Sequence, residues 1–144
     1  MRKLLTLAVL VLSLFSAAAQ NTYDGKAVLL EHKGKQALFA VEVEVDKKGD
    51  IEACASEALM YILLTEGVPG INGGEKLMQK ENKYWLSHTF FTGKNAPYKP
   101  HIAGAQLEDE PRQTPTGRYR GSVYINLNYD ALLRQLVGYG VRNK

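Results

Sequence analysis

Residues Ala37 to Val45 read ALFAVEVEV, and this run constrains the fold more than any other. Phe39, Val41, Val43 and Val45 recur at every second position, with Glu42 and Glu44 between them. That is the period of a strand with one buried and one wet face, and no helix can sort these residues so cleanly. A strand of this kind needs a neighbour and a covering layer. Ala27 to Glu31 (AVLLE) supplies the neighbour, joined through the turn Lys33-Gly34-Lys35 as a β-hairpin.

What covers the apolar side follows directly. Lys47-Lys48-Gly49 turns the chain into Asp50, a good N-cap residue, and Glu52 lies in the first turn where the helix dipole favours an acid. From Ile51 to Glu66 the spacing predicts a helix. Its stripe is Ile51, Ala55, Ala58, Ile62 and Thr65, flanked by Cys54, Leu59 and Leu63. Gly67 is placed to end it in a left-handed conformation, with Val68 folding back on Leu63 and Pro69 preventing continuation.

The stretch EGVPGINGGEK, residues 66 to 76, holds four glycines and a lysine. A phosphate loop precedes a helix, where free N–H groups and the positive dipole end meet the anion. This cluster follows one, and Gly74 is succeeded by Glu75, Lys76 and Leu77 instead of the Gly-Lys-Ser/Thr of a nucleotide site. It reads as a helix stop.

Further along, Tyr84 to Thr92 (YWLSHTFFT) predicts a third strand from its aromatic and β-branched content. Arg118 to Leu127 (RYRGSVYINL) predicts a fourth. Its inward set is Tyr119, Gly121, Val123, Ile125 and Leu127, and its outward set Arg118, Arg120, Ser122, Tyr124 and Asn126. Asn128 is then placed to cap a short helix, Tyr129 to Tyr139, with the stripe Leu132, Leu133, Leu136 and Val137. Gly140 and Val141 echo Gly67 and Val68. The expected architecture is α+β: a two-layer sandwich of a mainly antiparallel sheet of about four strands, with two helices on one face, built as strand-strand-helix twice. Between the third and fourth strands, residues 93–117 hold four of the five prolines and the run Glu108-Asp109-Glu110. They are expected to form a long loop, either functional or mobile.

The chain opens MRKLLTLAVLVLSLFSAAAQ. Arg2 and Lys3 form a positive region, Leu4 to Phe15 an apolar run of twelve, and Ala17 and Ala19 fit the A-x-A cleavage rule. Residues 1–19 are expected to be a signal peptide, and residues 20–144 a single exported domain with no membrane span. The apolar run is shorter than the roughly 18 residues a span needs. Of the 18 basic residues, Arg2 and Lys3 belong to the leader, so the mature chain has 16 against 15 acidic and a net charge of +1. That gives no nucleic-acid footprint. Cys54 is the only cysteine, so no intramolecular disulfide forms in the oxidising destination.

Candidate chemistry is sparse. Cys54 near a helix N-terminus is the one nucleophile to weigh, with His32, His88 or His101 as base in a small hydrolase. Its neighbours Ala53 and Ala55 instead read as an apolar packing face. The histidines, 56 and 13 residues apart, lack metal-ligand spacing, and no cofactor is expected. Glu42 and Glu44 lie side by side on one strand face, a paired-carboxylate arrangement that wet strand faces commonly show. There is no G-x-S-x-G elbow.

Aromatic residues cluster in the third and fourth strands and the segment between them. Trp85, Phe91, Tyr98 and Tyr124 are the candidate binding residues, for an envelope protein, a peptide or a glycan. The same rings would equally serve as core on both faces of the sheet. Homo-oligomerisation through an open sheet edge is a further expectation.

Two stretches, Ala55 to Gly70 (ASEALMYILLTEGVPG) and Ser122 to Val141 (SVYINLNYDALLRQLVGYGV), resemble a group of small exported, uncharacterised proteins of Bacteroides-type bacteria. They cover 36 residues of the mature chain, and neither is a catalytic motif. The resemblance implies a periplasmic or surface location and an α+β fold, and it implies no activity or site residues. The function expected from all this is a non-enzymatic binding or assembly module of the cell envelope.

Overall fold

The computed structural model describes residues 25–144. The expected signal peptide and cleavage point lie outside the described residues. The chain begins with a hairpin of β1 (Gly25–Lys33) and β2 (Gln36–Val45), closed by a two-residue turn in which Gly34 takes φ +62°. A turn at Lys48–Asp50 leads into α1 (Ile51–Thr65). After an irregular stretch come a short helix, α2 (Lys83–Trp85), and a π-helical continuation over Leu86–Phe90. The chain returns to the sheet with β3 (Ile102–Leu107), β4 (Arg112–Gln113) and β5 (Tyr119–Asn128), and ends in α3 (Tyr129–Gly138).

The sheet is antiparallel throughout, in the order β1-β2-β5-β3, with β4 beside β3 on the same side of β5. The two long strands β2 and β5 pair in full register from Gln36↔Asn128 to Val45↔Tyr119. β2 leads into α1 and β5 into α3, so the chain runs strand-strand-helix and then, after α2, strand-strand-strand-helix, giving five strands and three helices where about four and two were expected. Phe39, Val41, Val43, Val123, Ile125 and Leu127 are buried against Ile51, Ala55, Ala58 and Leu59 of α1, and Leu132 and Leu136 of α3 join the same core. The helix lies close on the sheet. A Cβ on Gly25 would fall 2.9 Å from that of Ala58, and one on Gly121 3.1 Å from Ile51 Cδ1.

Three expectations are corrected. Tyr84 to Thr92 is not a strand, for the chain is helical from Lys83 to Phe90. Asn82 accepts the Trp85 N–H at 2.9 Å as a helix cap, and the hydroxyls of Ser87 and Thr92 bond backbone carbonyls at Lys83 and Ser87. Trp85, Leu86 and Phe90 are buried while Tyr84 and His88 are exposed, a spacing that a π turn brings to one side and a strand does not. Segment 93–117 is not one loop, for it supplies β3 and β4 to the sheet. Nor do the cap residues act through their side chains. Neither Asp50 nor Asn128 makes a side-chain cap bond, and the Asn128 amide instead meets Gln36 at 3.2 Å.

The two helix endings also differ. At α3 the N–H of Val141 bonds Leu136 O and that of Gly140 bonds Val137 O, with Gly140 at φ +76°, a Schellman closure. At α1 it is Gly67 itself whose N–H reaches Ile62 O, at 2.8 Å. Beyond it the chain doubles back along the helix, Leu77 and Met78 donating to Leu63 O and Leu64 O. Met60 and Leu64, half a turn round from the sheet-facing Ala58 and Ile62, are therefore fully buried as well. α1 is an interior helix.

Candidate functional site

Helices cover one side of the sheet, and the alternation of each strand dictates what the other side carries. Reading across the register, one row is Lys26, Glu42 and Ser122, extended by Glu108, whose N–H bonds Ser122 O at 2.9 Å. The next row inward is Val28, Ala40, Tyr124 and Gln106. Beyond it come Glu31, Leu38, Asn126 and Gly104. At the opposite end stand Glu44, Arg120 and Arg112. Val28 and Ala40 are buried, with Leu30 and Tyr124 half-buried around them, and this apolar patch contains strand residues only. The outward set expected for β5, from Arg118 to Asn126, is the set found here.

Charges on the rim are paired in a chain. Lys26 Nζ lies 3.8 Å from Glu42 Oε1, and Arg120 reaches both Glu42, at 4.0 Å, and Glu44, at 3.3 Å. Arg118 holds Glu44 at 3.1 Å and Asp46 at 2.9 Å, and donates a further bond to the Glu44 carbonyl. Lys48 pairs with Glu110. Solvent-facing pairs of this kind each contribute roughly 0–1 kcal/mol, so their main effect is to fix side chains in position. A shallow cleft between the β3–β4 connection and the sheet is lined by Glu42, Glu108, Asp109, Glu110, Arg112 and Arg120.

Beside it Tyr124 acts on the Glu108 carboxylate, favouring its charged form. Burial pushes the Glu108 carboxyl above its ordinary value, and the Asp109 charge pushes it further, against the opposing pull of Arg112. Burial and the same carboxylate push the Tyr124 phenol up.

Three of the four candidate binding residues are brought together, but in the core rather than on a surface. Trp85 and Tyr98 are buried, and with Phe90 and half-buried Phe91 they form one aromatic cluster in the core, with ring centroids 4.9–6.3 Å apart. Tyr98 also donates to Glu57 of α1 at 3.3 Å. Only Tyr124 lies on the open sheet face. The ring chemistry that suggested a surface site thus belongs mostly to the layer packed with α1.

Cys54 is half-buried against the same core. The three imidazoles are engaged elsewhere. His32 meets Tyr129 edge-on, His88 stacks on Tyr84 and bonds Ser87, and His101 is 2.6 Å from Gln135. Among the described residues no group of three or more His, Cys, Asp or Glu side chains is arranged to hold a metal ion. None of their helices is long and apolar enough to cross a membrane.

No family model, curated protein or solved structure matches the chain. Function must therefore be argued from the surface itself. Glu108 is legible only as part of an acidic run, and Arg112 carries no signal at all, because both lie in residues 93–117, where no periodicity marks β3 and β4. Arg118 and Arg120 were legible as outward-facing, but their pairing with Glu44 needs the β2–β5 register, which spans the length of the domain.

Proposed function

We propose that this protein is an exported, non-enzymatic binding module of the bacterial cell envelope, and that it docks a protein partner on the open sheet face. One observation carries the reading: Val28, Leu30, Ala40 and Tyr124 form a small apolar cluster of strand residues separate from the helix-packed core, with Leu30 and Tyr124 half-buried at its surface, inside a rim of paired charges. An apolar centre with a polar, hydrogen-bonding rim is the anatomy of a protein–protein interface. The rim carries both signs of charge, which suits a protein surface of mixed charge better than a polyanion. Export and the resemblance to exported Bacteroides-type proteins rest on the leader and on the two helix-ending stretches described above.

The test is capture from envelope extract with the parent and two variants, Tyr124→Ala and Arg120→Glu, run beside a glycan array. A partner retained by the parent and lost by both variants, each still folded and lowered in melting temperature by no more than the few degrees that about 1 kcal/mol represents, supports the reading. Equal capture by all three, or binding on the glycan array alone, removes the protein-docking assignment.

A further inference from the structure

The two edges of the sheet are unequally protected. β1, at one side, carries Lys26, Glu31, His32 and Lys33 and has an irregular register between Leu29 and Glu31. Charges and bulges of this kind keep an edge from pairing with another chain. β3, at the other side, reads IAGAQL, with neither a charge nor a proline, and its irregularity at Ala103 is confined to one end.

The direction of its free backbone groups can be deduced. Glu108 N–H points into the sheet, toward Ser122 O. In an antiparallel ladder inward and outward groups alternate along a strand. Gln106 and Gly104 therefore also bond β5, and the N–H and C=O groups of Ala105 and Leu107 face outward. The side chains of Ile102, Ala105 and Leu107 pack half-buried against the core along the same edge.

We propose that this edge is a self-pairing surface, on which β3 of one copy joins β3 of a second copy antiparallel, about a two-fold axis at Ala105, into one continuous sheet. Charge favours a second copy over an unrelated strand. β3 is preceded by the exposed Lys99 and followed by Glu108, Asp109 and Glu110. With Ala105 on the axis, Gly104 faces Gln106 of the second copy, and the Lys99 end of each copy runs toward the acidic end of the other. Each basic end thus runs beside an acidic end, twice by symmetry, as an isologous interface requires. The guarded β1 edge then stops further addition, so the assembly closes at two.

A six-residue edge is small for an interface, so the dimer should dissociate on dilution. Sedimentation equilibrium on the purified protein, with its N-terminus as the cell leaves it, reads this directly. Two variants separate the edge from the rest of the surface. Ala105→Pro removes an outward N–H that the intramolecular ladder does not use. Gly104→Lys adds a charge beside the axis at a position where a Cβ meets nothing within 4 Å.

The expected result is a concentration-dependent dimer in the parent, a monomer in both variants with the melting temperature retained, and slower amide exchange at Ala105 and Leu107 as concentration rises. If Ala105→Pro fails to fold, Gly104→Lys alone decides. A parent that stays monomeric up to about 1 mM, which corresponds to less than about 4 kcal/mol of association free energy, overturns the proposal. So does a dimer that survives Gly104→Lys. Loss of dimer in Arg120→Glu instead would move the contact to the open face. Since the open-face variants leave β3 untouched, failure of this inference and failure of the docking reading give different results.

Discussion

Gly67 is held against the carbonyl of Gly74, so that a Cβ at position 67 would overlap that oxygen and the backbone of Glu75. Gly67 also takes φ +96°, a region that L side chains rarely adopt. The glycine cluster after α1 is thus a tight return of the chain on itself, which brings Leu77 and Met78 back along the helix. Gly67→Ala should cost at least about 3 kcal/mol, from left-handed strain and backbone overlap together. Gly73→Ala, at φ +63° with open space around it, should cost only about 1 kcal/mol. Denaturant midpoints of the two variants check the contrast, and similar losses would show that the return is not tightly packed.

The buried aromatic layer predicts a second contrast. Trp85→Ala removes a ring packed on Phe90 and Tyr139 at 4.9 and 5.0 Å, and it should destabilise by about 3–5 kcal/mol. Tyr124→Ala, on the open face, should cost about 1 kcal/mol or less. Thermal unfolding of the two variants measures it, and a near-neutral Trp85→Ala would put that ring back among surface residues.

Glu108 gives a pH dependence with a definite sign. Its folded-state carboxyl lies above the ordinary 4.5, chiefly through burial. The folded state therefore binds the proton more tightly than the unfolded one, and this group's contribution to stability falls as pH rises from about 4.5 through the raised folded value. A carbon-detected titration should place the Glu108 midpoint above that of an ordinary glutamate. Arg112→Gln should raise it further, and Asp109→Asn should lower it. A midpoint unmoved by Arg112→Gln would mean that the guanidinium does not act on this carboxylate.

The Arg118 pairs make a test by salt. Arg118→Ala removes contacts to Glu44 and Asp46 at 3.1 and 2.9 Å, both at the solvent boundary. The loss should be about 1 kcal/mol at low ionic strength and should shrink toward zero near 1 M salt, where the screening length is about 3 Å. A loss independent of salt would assign Arg118 to packing by its aliphatic stem instead.

What the sequence disclosed and what it hid divide along physical lines. β2, β5, α1 and α3 were legible because each carries its own period, two residues for VEVEV and between three and four for Leu132, Leu133 and Leu136. β3 was hidden because IAGAQL has neither alternation nor β-branched bulk beyond Ile102; it becomes a strand only because β5 offers it a ladder. YWLSHTFFT misled for the opposite reason. Its composition suits a strand, but Asn82 and the hydroxyls of Ser87 and Thr92 satisfy backbone groups locally, and Trp85 and Phe90 pack into the common core. The open face was legible in part, since Glu42 and Glu44 on one strand and Arg118 and Arg120 on the other pointed outward in both readings. That these pairs meet is a fact of register.

That register has a consequence for how the protein is made. The central β2–β5 ladder joins Gln36 to Asn128, 92 residues apart, so the middle of the sheet closes only after nearly the whole domain has emerged. Contacts of such long range make folding slow. Until β5 arrives, the β1–β2 hairpin presents the apolar column Phe39, Val41 and Val43 with one open side. The chain is therefore most exposed to aggregation in the interval between completion of β2 and completion of β5, and a holding chaperone acting on the nascent chain would find its natural target in ALFAVEVEV.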